Sequence, residues 1–166
     1  SWDEPPFKVT ASNITPDKAT GIGNYTDAQL KTVLRKGIKP NGTPIAMVMP
    51  SGFYEIMTDR DLDAVIAYLH MLKPISNKVA DPVYKIALPH HVFPGAEKSY
   101  SQVDLSDKLK RGFYLATIGH CMECHTPFRA GGGGRDFQNS LGKGGAEFPG
   151  PWGVSTSRII TSHKTA

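Results

Sequence analysis

Only two cysteines occur among the 166 residues, so no disulfide scaffold holds this chain together. The apolar run Ile45-Ala46-Met47-Val48-Met49 stops at Pro50, far short of the ~20 residues that a membrane-spanning helix needs. No block of five or six like charges exists. The 19 basic and 15 acidic residues are mixed, and their net charge of +4 offers no nucleic-acid arm and mildly favours an acidic protein partner. The N-terminal Ser-Trp-Asp-Glu-Pro-Pro lacks the charged and apolar regions of a secretion signal, so a leader, if there was one, is expected to have been removed. Strand-like alternation is also scarce, with only a weak stretch from Val154 to Ile160.

What the chain has in excess is glycine, at 17, and proline, at 13, which predicts long loops. Between them stand a few helix signals. Thr26 can cap a helix through Leu30, Val33 and Leu34 that stops at Gly37. Thr58 and Asp61 start a second, with Leu62, Val65, Ile66, Leu69 and Leu72 on its apolar face and Pro74 at its end. A third is expected from a Ser106 cap through Leu109, Phe113 and Ile118. Lys39 to Tyr54 holds too many breakers for a regular element, and residues 73–104, with four prolines, read as a loop or linker. There is one internal echo: Ser12-Asn13-Ile14-Thr15-Pro16-Asp17-Lys18 resembles Arg158-Ile159-Ile160-Thr161-Ser162-His163-Lys164 at an offset of about 146 residues.

The third helix runs into Cys121-Met122-Glu123-Cys124-His125, which is C-x-x-C-H, the attachment sequence of c-type haem. Two thiols three positions apart can add to the two vinyl groups of a porphyrin, and the next residue's imidazole then meets the iron. A thioredoxin-like motif would follow a strand, a zinc site would want further ligands at recognisable spacing, and a disulfide across three residues would stabilise little. His125 is the expected axial ligand, its second ring nitrogen free to donate to a backbone carbonyl. A methionine opposite it would give an electron-transfer haem of raised potential. Of Met47, Met49, Met57, Met71 and Met122, only Met47 and Met49 sit in a proline-bounded loop placed to reach a metal, and ordinary core packing is the competing account. The aromatic residues Phe128, Phe148 and Trp152 are candidates to pack on a porphyrin face, or equally members of an ordinary core. Gly131 to Gly134 lacks the Lys-Ser/Thr of a phosphate loop and reads as a turn.

On these residues the chain resembles the multihaem c-type cytochromes that serve as electron-accepting subunits of bacterial periplasmic dehydrogenases for alcohols, aldehydes and related substrates. Asn13-Ile14-Thr15-Pro16-Asp17, Gly21-Ile22-Gly23, Met49-Pro50 and Ala67-Tyr68-Leu69 look like the second half of one such domain. Arg111-Gly112-Phe113-Tyr114-Leu115, His120 to Pro127 and Phe148-Pro149-Gly150-Pro151-Trp152-Gly153 look like the first half of the next. The resemblance implies an all-α fold of cytochrome c-like helical domains with Gly/Pro-rich loops around haem. It implies the methionine half in residues 1–76, a linker in 77–104 and the C-x-x-C-H half in 105–166. It further implies haem c on Cys121 and Cys124, His125 and Met49 as iron ligands, Gly112 as the point where one helix crosses an aromatic residue of another, and Trp152 beside the cofactor. The order is permuted relative to one cytochrome. Either the chain is an excerpt of a longer two- or three-haem protein, or its halves join around one iron; the excerpt is the preferred reading, because the terminal echo begins another half-domain.

The expected function is electron transfer without bond chemistry, from a dehydrogenase partner to a terminal oxidase or small cytochrome, in the periplasm, where c-type haem is attached. The chain is thus expected to be an electron carrier and not itself an enzyme. One alternative is a peroxidase-type haem enzyme with an open sixth position and His90 or His91 as distal base. Another is a haem-free binding module in which the motif is accidental.

Overall fold

The computed structural model describes residues 1–164 and divides into two compact units, Ser1–Asp104 and from Leu105 onwards. The expected all-α class does not hold. Five α-helices and a 3-10 turn at Asp104–Ser106 share the described residues with five short strands in two small antiparallel sheets. Proline and glycine keep those stretches out of helix, and their extended backbones satisfy hydrogen bonds by pairing with one another.

In the first unit, α1 (Asp27–Lys36) begins at a reciprocal cap. Thr26 Oγ1 accepts from the Gln29 amide at 3.2 Å, and the Gln29 side chain accepts from the Thr26 amide at 2.9 Å. It ends at Gly37, which adopts the left-handed conformation that releases the chain from the helix. The one-turn α2 (Ser51–Tyr54) lies in the breaker-rich loop expected to be irregular. Helix α3 (Asp59–Met71) starts at Thr58, whose hydroxyl accepts from the Asp61 amide at 3.1 Å. Leu30 of α1 and Ile66 of α3 are buried with Ile22, and Tyr25, Leu34 and Leu69 pack around them. Burying each such aliphatic side chain contributes about 1.5–3 kcal/mol. The exposed ion pairs between these helices, Lys31–Asp63 at 2.7 Å and Arg35–Asp59 at 3.0 Å, contribute about 1 kcal/mol or less. Apolar burial therefore sets the helix pairing.

A three-stranded sheet, in the order β1 (Trp2–Glu4), β2 (Phe7–Val9) and β3 (Val83–Tyr84), completes this unit's regular elements. Phe7 and Val9 alternate inward and bury with Ala46, against Tyr84 and Leu88. Residues 77–104, expected to form a linker, belong to this unit. Tyr84 pairs with Phe7, Phe93 stacks on Phe53 with ring centroids 4.8 Å apart, and the Tyr100 amide donates to the Ile56 carbonyl at 2.9 Å.

The second unit holds α4 (Lys108–Ile118), α5 (Cys121–His125) and a hairpin of β4 (Glu147–Gly150) and β5 (Gly153–Thr156). The cap of α4 is Asp107, one residue later than the expected Ser106; its carboxylate accepts from the Lys110 amide at 2.8 Å. Among the described residues, Tyr114 and Ala146 are the only buried apolar side chains of this unit, beside Thr117 and Thr126. So small a core makes a segment of this length marginal in stability on its own.

Candidate functional site

His120 joins α4 to α5. It is the one non-glycine residue with positive φ among those described, at 55°, and this left-handed step lets the chain turn from one helix directly into the next. Burial holds the His120 imidazole below its ordinary pKa, an effect that Glu123, 3.8 Å away, partly offsets. In α5, Cys121 and Cys124 are both exposed, free of any disulfide and three positions apart, which puts the two thiols on the same helix face. No group of three or more His, Cys, Asp or Glu converges on a metal-sized site among the described residues, so these thiols have no zinc-type donor set around them.

His125 closes the helix. Its Nδ1 lies 2.7 Å from the Arg158 carbonyl oxygen and donates to it, which fixes the ring and leaves Nε2 as the available ligand atom. The loop from 142 to 145 holds that arrangement. The Gly144 amide donates to the His125 carbonyl at 2.8 Å, and the Gly142 amide donates to the buried Thr126 hydroxyl at 3.1 Å. Arg135 donates to the Thr126 carbonyl at 3.1 Å and lies over the Phe128 ring, 3.8 Å from its centroid. Phe128, Leu141, Trp152, Val154 and Ile160 expose large apolar surface in this unit. The paired thiols, the anchored imidazole and this uncovered apolar surface together fit a haem.

Trp152 stands at the hairpin tip, 73% exposed, with its ring over Gly150. Gly112 lies on a bare face of α4: a Cβ built there meets nothing within 4 Å. Leu109 and Leu115 on the same helix are 84% and 57% exposed.

The methionines separate by position. Met57 is buried in the core, Met47 and Met71 are exposed, and Met122 sits within α5. Met49 is half-buried and lines a cavity of about 550 Å³ whose wall is built entirely from first-unit residues, among them Ile14, Tyr25, Leu34, Leu69 and Tyr84. That volume and apolar lining suit a cofactor. Sequence reasoning missed much of this wall, notably Val79 to Pro82 and Tyr84, because its residues carry no motif.

One edge of the cavity is a side-chain knot. Asn13 Oδ1 accepts from the Thr15 amide at 3.0 Å, and Asn13 Nδ2 donates to the Ile75 carbonyl at 2.8 Å. The Thr20 hydroxyl, 2.8 Å from Asp17, is the main cause that lowers the Asp17 pKa. Gly21 passes so close to the Thr15 carbonyl that a Cβ would stand 2.2 Å from it.

The internal echo has a structural counterpart. In β1–β2, Trp2 pairs with Val9 and Glu4 with Phe7; in β4–β5, Phe148 pairs with Ser155 and Gly150 with Gly153. Every pair is displaced by the same 146 residues, so the two hairpins share one register. At that offset, Arg158 in the second unit corresponds to Ser12 in the first.

No protein-family model matches the chain. It is 35% identical over 130 residues to the gluconate 2-dehydrogenase cytochrome c subunit of Pantoea cypripedii, covering 72% of this chain and 30% of that protein. The cytochrome c subunit of a quinone alcohol dehydrogenase from Gluconobacter oxydans is 34% identical over 134 residues, covering 72% and 27%. A diheme cytochrome c-type protein of Cereibacter sphaeroides is 33% identical over 162 residues, 92% of this chain and 52% of that one. This chain is homologous to cytochrome c subunits of dehydrogenases. It spans about half the length of the diheme relative and less than a third of the other two. A cytochrome c carries haem c, and for this homologue haem c is the implied cofactor. None of these three relatives is described as a peroxidase, and His90, one of the two candidate distal bases of that alternative beside His91, is hydrogen-bonded to Glu55 at 2.7 Å. No described helix is long and apolar enough to cross a membrane.

Proposed function

We propose that this chain is an electron-carrying part of a c-type cytochrome, with one haem held by its second unit and the methionine side of another haem site in its first. The observation that carries the reading is the hydrogen bond from His125 Nδ1 to the Arg158 carbonyl, on a helix whose two thiols share one face. Cys121 and Cys124 would attach the porphyrin, each thiol adding across a vinyl group with its proton going to the neighbouring carbon. His125 Nε2 would ligate the iron. When bound, haem c supplies a one-electron couple.

Met49 serves a different iron in this reading. Its cavity belongs to residues before Asp104, and the matching hairpin registers support reading the chain as parts of a repeated domain. The domain halves are then 1–76 and 105–166, with 77–104 folded onto the first. Ser12 stands where Arg158 stands, which supports its carbonyl as the acceptor for a histidine that the 166 residues do not contain. The bare face at Gly112 would receive an aromatic-bearing helix, and Trp152 would cover a haem edge.

The chain's surplus charge lies after Asp104, where eight basic residues meet four acidic ones, while the first 104 residues carry equal numbers of each. This supports an acidic redox partner for the second unit, met transiently. A dehydrogenase subunit is the proposed donor, a terminal oxidase or small cytochrome the acceptor, and the periplasm the compartment. The test is the visible spectrum of the reduced complete protein with and without carbon monoxide. Low-spin bands that carbon monoxide leaves unchanged are expected; rapid formation of an adduct would contradict two-sided ligation.

A further inference from the structure

The turn that carries Met49 is poorly stabilised by its own sequence. Helix α2 has four residues, and Pro50 at its N-cap offers no side-chain hydrogen bond; so short a helix does not persist unaided. Its order comes from residues 90–100, which bind along it. Gly52 lies against the His91 carbonyl so closely that a Cβ would stand 1.8 Å from that oxygen. The Phe93 amide donates to the Gly52 carbonyl at 3.1 Å, and the Phe93 ring stacks on Phe53. Directly after α2, Glu55 is only 6% exposed, and its carboxylate accepts from His90 Nε2 at 2.7 Å and from Lys36 Nζ at 2.5 Å. One buried carboxylate therefore joins the end of α1, the turn after Met49 and the 90–100 segment.

We propose that His90 is a positioning residue for Met49: through Glu55 it clamps α2, and α2 fixes the turn from which the thioether projects into its cavity. This rests on the reading of Met49 as an iron ligand. The chain of contacts is continuous. The Ser51 amide donates to the Met49 carbonyl at 2.8 Å and the Met49 amide to the Ala46 carbonyl at 3.0 Å, so a displacement of α2 moves the Met49 backbone. Removing His90 leaves a buried carboxylate with Lys36 as its one remaining side-chain partner, and a buried carboxylate left short of partners is driven towards water. The turn would open with it.

The test uses the complete haem-loaded protein with His90→Ala, His90→Gln and Met49→Ala. Amide exchange at Phe53 and Met57 reports the clamp itself; the thioether–iron charge-transfer absorption and the reduction potential report the ligand. His90→Ala is expected to speed exchange at these amides by about tenfold to a hundredfold, the worth of a hydrogen bond to a charged group. It should also weaken the charge-transfer band and lower the potential. His90→Gln, which keeps a donor, should restore most of both. Unchanged exchange in His90→Ala would overturn the clamp. Faster exchange with an unaltered band and potential would overturn the positioning role and leave His90 purely structural. A band left at full intensity in Met49→Ala would instead overturn the ligand reading, and the positioning role with it.

Discussion

Gly144→Ala probes the anchoring of His125 most sharply. Gly144 has φ +75°, and a Cβ there would stand 2.6 Å from the Arg158 carbonyl carbon and from the Ile159 nitrogen. The left-handed conformation costs a residue with a side chain about 1–2 kcal/mol. Relieving the contact requires the Arg158–Ile159 peptide to retreat by roughly 1 Å, since packed atoms need about 3.5 Å. The His125–Arg158 hydrogen bond, 2.7 Å long, would then be stretched beyond useful length, a further loss of about 1 kcal/mol. Gly145→Ala is the control: Gly145 has φ +84° but open space where the Cβ would be. It should suffer the conformational cost alone. In denaturant unfolding of the haem-loaded protein, Gly144→Ala should therefore lose at least ~1 kcal/mol more than Gly145→Ala. The potential of the His125 haem should rise in Gly144→Ala and not in Gly145→Ala, because the lost hydrogen bond made the imidazole a stronger donor. Equal stabilities and equal potentials for the two variants would refute the reasoning.

Other outcomes follow from the same geometry. Thr26→Ala removes a reciprocal cap from α1 and should destabilise the first unit by about 1 kcal/mol in urea titration, with the second unit's haem spectrum unaltered. Lys36 and His90 hold the Glu55 carboxyl below its ordinary range even though burial, the largest influence, pushes the other way. A lowered pKa contributes stability that is present above the usual carboxylate value and is lost as pH falls through the folded one. Melting temperature should thus fall on acidification below about pH 4.5, and less steeply in Glu55→Gln. Gly112→Leu should stabilise this chain by about 0.5–1 kcal/mol through helix propensity, because α4 is bare there, and should destabilise the complete protein if a helix crosses at that point.

Helices α1 and α3 were readable because each writes both its cap and its apolar face into neighbouring residues: Thr26 with Gln29, Thr58 with Asp61. The strands were not. At two to four residues each, they are too short to show an alternation, and β4 contains Pro149 and Gly150. What defines them is pairing, visible only when Trp2 meets Val9 or Phe148 meets Ser155. The motif Cys121 to His125 names its chemistry by spacing alone, but the partner of His125, Arg158, lies 33 residues away and carries no side-chain signal, because it acts through its backbone. The same limit hid the role of residues 77–104. Their proline content suggests a spacer, and their attachment depends on Phe93, His90 and the missing side chain of Gly52 meeting residues far earlier in the chain.

The central claim, haem covalently held by the second unit, is tested most directly by the intact mass of the denatured chain expressed in cells that attach c-type haem. The account predicts the mass of the polypeptide plus one haem, lost in Cys121→Ser/Cys124→Ser and retained in Met49→Ala. A wild-type chain at its bare polypeptide mass, with both thiols open to alkylation, would contradict it.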